Sequence, residues 1–248
     1  MNKAYIIFLF FLFIITGCDE KNKKVNQINY SSFELVDTSS FLMSYKNDSI
    51  TSQANYNPLS IGKIEKTIKL VYDNFNQFED YFVYLDAPFP TFSMPNPQRI
   101  EIFVDTTKTI ANVNPYKFIP PPQPNKLKKA NKVEGYYAYP VFIRNISTDT
   151  VWIGYGNYIG LLVEAKDSLG EWKEIEKPFI YHCGTGLNDI VLPPNYLTVT
   201  STIKYKGRYK TKMRVKTMNN FENEVYSNEF TGTINYSQLV KQNKNKKK

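Results

Sequence analysis

Apolar and polar residues alternate along several short segments of the chain, and no long segment carries a strong 3.6-residue period. Alternation at residues 67–72 has the period of a half-buried strand. Two further strands are predicted over residues 81–85 and 99–105, with four prolines breaking the chain between them. These patterns predict a β-rich N-terminal region over residues 61–118.

The C-terminal half has the clearest strand pattern, with about seven short strands separated by turn sequences. They are predicted over residues 137–144, 150–154, 159–166, 171–176, 197–205, 209–216 and 224–234. Asp167-Ser-Leu-Gly170 has the composition of a hairpin turn that ends on glycine. This number and spacing of strands favour an antiparallel Greek-key β-sandwich over residues 133–238. The predicted fold class is therefore mainly β.

Polar, proline-rich and lysine-rich stretches set the predicted boundaries. Residues 18–60 are polar enough to form a flexible tether, although the order of their second part is uncertain. Consecutive prolines cannot occupy a central strand, so residues 119–132 are predicted to be a linker. A proline-rich loop packed on a sandwich within one domain fits the same residues. Residues 239–248 are predicted to be a disordered basic tail.

The first residues have the order of a secretory signal. Lys3 precedes an apolar run over residues 4–16, and these 13 residues are fewer than the roughly 20 that a spanning helix needs. Ile15-Thr16-Gly17-Cys18 resembles the lipobox of bacterial lipoproteins, although that family prefers leucine at the position of Ile15. The resemblance implies that residues 1–17 are a signal peptide and that Cys18 carries lipid. The alternative is an ordinary signal peptide with an incidental cysteine.

Several short motifs lie in order along residues 133–236. They are Asn145-Ile-Ser147, Asp167-Ser-Leu-Gly170-Glu-Trp172, Leu192-Pro-Pro194 and Gly207-Arg-Tyr209. Together they are similar to uncharacterised Ig-like domains of Bacteroidota envelope lipoproteins, and the last motif resembles a tyrosine corner. The resemblance implies an Ig-like β-sandwich and an extracytoplasmic, lipid-anchored location, with the outer membrane favoured. It implies no activity, because such folds host many functions.

The net charge of +8 comes mostly from the chain termini. Without Lys3 and the five lysines of residues 241–248, the rest of the chain carries only +2. A nucleic-acid partner is therefore not expected. The lysine tail is interpreted as solvated, with contact to anionic headgroups or glycans as the alternative.

One strand carries a row of cations, which we call the cation row. Its members alternate with apolar or uncharged residues and are Arg208, Lys210, Lys212, Arg214 and Lys216. Because the side-chain period of a strand is two, all five are predicted to share one face. That face could bind an anionic glycan, a lipopolysaccharide phosphate or an acidic partner protein. It could equally be a solvated face balanced by acids on neighbouring strands, namely Glu164, Glu174, Glu176, Glu222, Glu224 and Glu229.

His182 and Cys183 are the only adjacent pair with the chemistry of a nucleophile and its base. Neighbouring residues on a strand point to opposite faces, so His182 would reach Cys183 only in a loop. A single histidine cannot complete a metal site with one cysteine, and lipidation of Cys18 leaves Cys183 without a disulfide partner. We therefore predict no catalytic residue, cofactor or metal. An envelope enzyme using Cys183 with His182 is the alternative.

Aromatic residues and short Asp-Ser/Thr motifs each allow two interpretations. Tyrosines between residues 136 and 158 could form a carbohydrate-binding patch or fill the core of a sandwich. Four Asp-Ser/Thr-apolar motifs resemble O-glycosylation sites of Bacteroidota, although they also suit turns. Their hydroxyl residues are Ser49, Thr106, Thr150 and Ser168.

Taken together, the sequence predicts a lipid-anchored envelope protein with a binding or structural role. Its expected partners are the membrane, through Cys18, and an envelope protein or glycan. A surface glycan-binding module is the alternative within the same class of protein.

Overall fold

The computed structural model describes residues 27–39, 42–47, 56–72, 78, 80–84, 92–113, 132–178, 188–218 and 223–240. The predicted signal peptide, Cys18, His182, Cys183, residues 119–131 of the predicted linker and residues 241–248 of the tail lie outside these ranges. The chain is mainly β with several antiparallel sheets, consistent with a β-sandwich, which confirms the predicted fold class. In the part of the chain described, no helix is long and apolar enough to cross a membrane.

The described residues include sixteen strands, a 3₁₀ turn (Tyr30–Ser32) and a short helix, α1 (Ser237–Val240). The strands of the N-terminal half are β1 (Glu34–Asp37), β2 (Leu42–Lys46), β3 (Ser60–Lys63), β4 (Thr67–Leu70), β5 (Phe82–Tyr84), β6 (Ile100–Val104) and β7 (Ile110–Val113). The strands of the C-terminal half are β8 (Lys132–Asn145), β9 (Val151–Tyr155), β10 (Tyr158–Ile159), β11 (Leu161–Lys166), β12 (Trp172–Glu174), β13 (Asn188–Leu192), β14 (Tyr196–Ile203), β15 (Tyr209–Thr217) and β16 (Phe230–Ile234).

The longest strand, β8, is the middle of a six-stranded sheet that we call the central sheet. Several residues of β8 pair with β14 or β2 and also with β6 or β7. β14 and β2 therefore lie along one edge of β8, and β6 and β7 lie along the opposite edge. β3 pairs with β14. Among the four strands that pair with β8, only β2 runs parallel to it. Because the central sheet is covered on both sides, Val141, Phe142 and Ile143 are all buried in succession.

Two hydrophobic cores lie on opposite faces of the central sheet. Val141 and Ile143 belong to the first core, and Phe142 between them belongs to the second. The first core is completed by residues of β9, β10, β11, β13, β15 and β16. The second core is closed by Tyr30, by Leu70 on β4 and by their neighbours, beside the parallel pair of β1 and β4. The 3₁₀ turn, β1 and β4 therefore form a layer over one face of the central sheet.

The first core is covered by two smaller sheets, ordered β10-β9-β13-β5 and β12-β11-β15-β16. The chain passes from one to the other at Gly160, whose N–H donates to Ile153 and whose carbonyl accepts from Met218. The predicted hairpin after β11 is confirmed, because the Asp167 carboxylate accepts the N–H groups of Leu169 and Glu171. The turn ends on Gly170 in the left-handed region, at φ 80°.

The structure differs from the sequence prediction within residues 18–60. A tether was expected there, but β1, β2 and the start of β3 lie in this stretch, and Tyr30, Phe33 and Tyr56 are buried. β1 is mostly exposed and the buried aromatics are isolated in polar sequence, so no alternation marked them. Strands of the predicted N-terminal region, β6 and β7, also share the central sheet with the C-terminal half.

Two details near the C-terminus also differ from the prediction. The strand expected over residues 224–234 is interrupted, because Val225 and Ser227 pair with β15 through backbone bonds but β16 begins only at Phe230. Tyr209, at the motif that resembles a tyrosine corner, packs edge-on against Tyr236 with ring centroids 5.2 Å apart. Gly207 is required by close packing, since a Cβ there would lie 2.0 Å from the backbone carbon of Ile234.

Candidate functional site

The cation row runs along β15 and just before it, between β11 and β16. Its two ends have different surroundings. Arg208, Lys210 and Lys212 are exposed, Arg214 is half-buried, and Lys216 is buried at 4% exposure. The period of two therefore gives one row with a solvent-facing end and a covered end.

At the covered end, Lys216 lies among three carboxylates. Its Nζ is 2.8 Å from Glu224 Oε1, 2.9 Å from Glu174 Oε1 and 3.4 Å from Glu164 Oε1. Burial acts to lower the pKa of Lys216, but hydrogen bonds to Glu224 and Glu174 and the charge of Glu164 outweigh it, so the pKa is raised. The ammonium group of Lys216 is therefore neutralised within the protein and is not offered to a ligand.

Arg214 is held by one carboxylate and two aromatic rings. Its Nε and Nη2 are each 2.8 Å from Glu164 Oε2, which is a charge-assisted contact. Its guanidinium carbon lies 4.2 Å from the ring centroid of Trp172 and 3.7 Å from that of Tyr226. Such stacking fixes the plane of a guanidinium and adds cation–π attraction. Arg214 and Lys216 thus belong to an acid-balanced cluster.

The exposed end of the row lies beside a groove of about 220 Å³ between the central sheet and the edge strand β16. We call it the basic groove. Lys204 and Tyr205, at the end of β14, line it together with Lys210 of the cation row and Tyr139 of β8. Residues 231–233 of β16 form its other wall and include two threonines. The groove therefore combines two cations, two tyrosines and hydroxyl groups.

Lys204 is the partly buried cation of the basic groove. Its Nζ lies 4.2 Å from the ring centroid of Tyr139 and donates a hydrogen bond to Thr109 Oγ1. Among the residues that the structure describes, no carboxylate lies within 4.0 Å of this nitrogen. Desolvation by burial lowers the pKa of Lys204. A cation that is partly desolvated and faces a groove is a suitable partner for an anion.

A second polar cluster is fully buried and was not predicted as a unit. Glu176 is 1% exposed, and its Oε2 accepts hydrogen bonds from Tyr56 Oη at 2.7 Å and from the Val163 N–H at 2.8 Å. Its Oε1 accepts a hydrogen bond from Tyr205 Oη. Burial beside this carboxylate raises the pKa of Tyr56 well above its usual value. The cluster links the N-terminal segment that contains Tyr56, just before β3, to the first core.

The predicted aromatic and glycosylation sites fall into different environments. Tyr158 is buried in the first core. Tyr137 is 38% exposed and stacks on Tyr45, with ring centroids 4.8 Å apart. Thr106 and Ser168 are exposed at turns. Thr150 is half-buried, and Ser49 lies outside the described residues.

Sequence reasoning could not connect Lys204 with Tyr139, because the two residues belong to different parts of the chain. The other predicted residues, Cys18, His182 and Cys183, lie outside the described ranges. The fold and the site define a β-sandwich protein with a basic groove beside an edge strand. No protein-family model matches the chain, and no curated protein or solved structure shows significant similarity to it.

Proposed function

We propose that this protein is a lipid-anchored binding protein of the bacterial cell envelope, held through Cys18, and that its basic groove binds anionic groups of an envelope glycan. The anchor rests on the lipobox-like sequence that ends at Cys18. The binding role rests on one observation in the groove: Lys204 faces it without a carboxylate partner among the described residues.

A carboxylate or phosphate of the ligand would give Lys204 the counter-ion that its surroundings do not supply. Lys210 lies on the same groove, and Thr231 and Thr233 lie on the opposite wall, where the Thr233 hydroxyl donates to the Tyr205 carbonyl. Charge-assisted hydrogen bonds of this kind gain strength where solvent is partly excluded. The cations Arg208 and Lys212 would add longer-range attraction that salt screens.

We expect the full-length chain, purified in mild detergent, to be retained on an immobilised uronic-acid polysaccharide and released by salt. Replacing both Lys204 and Lys210 by glutamine should weaken retention by about tenfold or more, since each charge-assisted bond contributes about 1.5–3 kcal/mol. The measurement is the apparent dissociation constant at several salt concentrations.

Two controls accompany that experiment. Lys69→Gln removes an exposed cation on β4 that does not line the groove, and it should leave retention unchanged. The same polysaccharide with its carboxyl groups reduced to alcohols should not retain the wild-type chain. Equal retention of the charged and reduced polysaccharides, or of the double variant and wild type, would contradict the proposed binding role.

The anchor has its own test, because the chain contains only two cysteines. In a bacterial host that processes lipoproteins, Cys18→Ser should move the protein from the membrane fraction to the soluble fraction. Cys183→Ser should stay with the membrane, because that thiol is not the lipid acceptor. The readout is immunoblotting of separated fractions together with metabolic labelling by a palmitate analogue. A Cys18→Ser protein that stays in the membrane and still takes up label would refute lipidation at Cys18.

A further inference from the structure

A second and larger groove, of about 600 Å³, lies between β6 and the segment that precedes β16. We call it the side groove. One wall carries Ile100, Glu101 and Ile102, and the other carries Glu224, Val225 and Tyr226. Its volume is in the range of sites that hold a short peptide or a small molecule. It shares no lining residue with the basic groove.

One wall of the side groove is the outer edge of β6. The other edge of β6 is paired with β8, in continuous antiparallel register. On the outer edge, the Val104 N–H donates to Asn228 Oδ1 at 2.7 Å, and the Val104 carbonyl accepts from Asn228 Nδ2 at 3.1 Å. Asn228 thus offers β6 the donor and acceptor that a neighbouring strand would offer.

Ile102 continues this outer edge into the side groove. Alternate residues of a strand turn their N–H and C=O groups to the same edge, so those of Ile102 face the same way as those of Val104. Ile102 also lines the groove. Within the described ranges no strand pairs with this edge of β6. An edge with backbone groups free to pair can accept an added strand.

The opposite wall also belongs to an extended segment. The Val225 carbonyl accepts from the Thr217 N–H, and the Ser227 N–H donates to the Val215 carbonyl, so Val225 and Ser227 face β15. Tyr226, between Val225 and Ser227, therefore turns its own backbone away from β15. The side groove is a space between two extended segments that Asn228 bridges at one end.

The exposed charges at the side groove are negative. The side chains of Glu101 and Glu224 are 42% and 33% exposed, whereas their cationic partners Arg144 and Lys216 are only 9% and 5% exposed. A ligand in the groove therefore meets carboxylates before it meets cations. Ile100, Ile102 and Val225 contribute the apolar part of the lining, and each is at most 4% exposed.

From the free edge, the apolar walls and the exposed carboxylates, we propose that the side groove binds an extended peptide segment of a partner protein. The segment pairs with β6 as an added strand, places apolar side chains against the groove walls, and presents a lysine or arginine to Glu101 and Glu224. In such strand addition, main-chain hydrogen bonds supply affinity and the side-chain positions supply specificity. This inference is independent of the proposed glycan binding.

The test uses the full-length chain in mild detergent and a fluorescent peptide, Thr-Val-Lys-Val-Thr-Val-Lys-Val, followed by fluorescence anisotropy. Two further peptides carry N-methyl groups on alternate residues, one on the odd positions and one on the even positions. Because only one set of N–H groups faces β6, one methylated peptide should bind about tenfold more weakly or worse, and the other should retain most of the affinity. No saturable binding, or equal binding of all three peptides, would overturn the proposal.

Protein-side measurements give a second readout. Glu224→Gln should weaken peptide binding severalfold, whereas Glu229→Gln, which removes an exposed charge that pairs with Lys166 outside the groove, should not. In hydrogen exchange, added peptide should slow the Ile102 amide, while the Phe103 amide, which faces β8, should keep its rate. An Ile102 amide whose exchange is unchanged at saturating peptide would overturn strand addition.

Discussion

Replacing Lys216 by methionine is expected to lower the free energy of unfolding by about 3–5 kcal/mol, the usual cost of removing one partner of a buried ion pair. Methionine has a similar length and is well tolerated in packed interiors, so the effect comes from the lost charge and not from a cavity. The variant leaves Glu164, Glu174 and Glu224 close together without their shared ammonium group. Urea denaturation followed by circular dichroism measures the change.

The pH dependence of this loss gives a sharper test. Burial acts to raise the pKa of Glu224, but the hydrogen bonds from Lys216 and Tyr226 outweigh it, so the pKa lies below the ordinary value of 4.5. A carboxylate with a lowered pKa adds stability above its unfolded pKa and loses it as the pH falls through the folded pKa. The difference between wild type and Lys216→Met should therefore be full near neutral pH and shrink below about pH 4.5.

At alkaline pH the difference should persist. The raised pKa of Lys216 means that its contribution is fully present below the ordinary lysine value of 10.5 and declines only above it. Lys210→Met is the matched control, because Lys210 is an exposed lysine on the same strand and face. It should change stability by less than about 0.5 kcal/mol. Equal effects of the two substitutions, or a loss at Lys216 that is independent of pH in the acid range, would contradict the assignment.

The burial of Lys216 could not be predicted from the alternating pattern of β15. A period of two assigns residues to faces of a strand, but it does not say how far each face is covered. The covering of Lys216 comes from Glu164 on β11, Glu174 on β12 and the segment around Glu224, which only the assembled sheet brings together. The acids considered as balancing charges included these three, and the structure brings them to one end of the row only.

The strands of the C-terminal half could be predicted because their alternation and turns are local properties. β8 was predicted over residues 137–144 but begins at Lys132, because its first residues are held by pairing with β2 and β7. These partner strands come from the N-terminal half of the chain, so no local pattern marks where β8 begins. β1 and β2 were not predicted because each is only four or five residues long, which is too short to show a clear alternation.

The burial of Glu176 is the feature that was hardest to predict from the sequence. Glu176 was counted among acids of an exposed face, as glutamates usually are. Its partners Tyr56 and Tyr205 are 120 and 29 residues away along the chain. Only the assembled first core places the two hydroxyl groups around one carboxylate. A network of this kind could not be inferred from the residues beside Glu176.

Replacing Glu176 by leucine is expected to lower the free energy of unfolding by roughly 3–5 kcal/mol. The substitution removes the acceptor of three buried donors: the hydroxyls of Tyr56 and Tyr205 and the Val163 N–H. Each donor left without a partner costs about 1–3 kcal/mol. Removing a buried carboxylate offsets part of this cost. Thermal and urea unfolding measure the loss.

Two matched variants separate the hydrogen bonds of Glu176 from its size and charge. Glu176→Gln keeps the shape and one acceptor oxygen, so it should lose less stability than Glu176→Leu. Glu171→Leu, at a glutamate whose side chain is 60% exposed in the turn before β12, should change stability by less than about 0.5 kcal/mol. Since Tyr56 joins the N-terminal segment to this cluster, Glu176→Leu should also speed hydrogen exchange of the Ile159 amide, which donates to the Tyr56 carbonyl. A leucine variant as stable as wild type would show that the three donors find other partners and that the carboxylate is not what holds the segment in place.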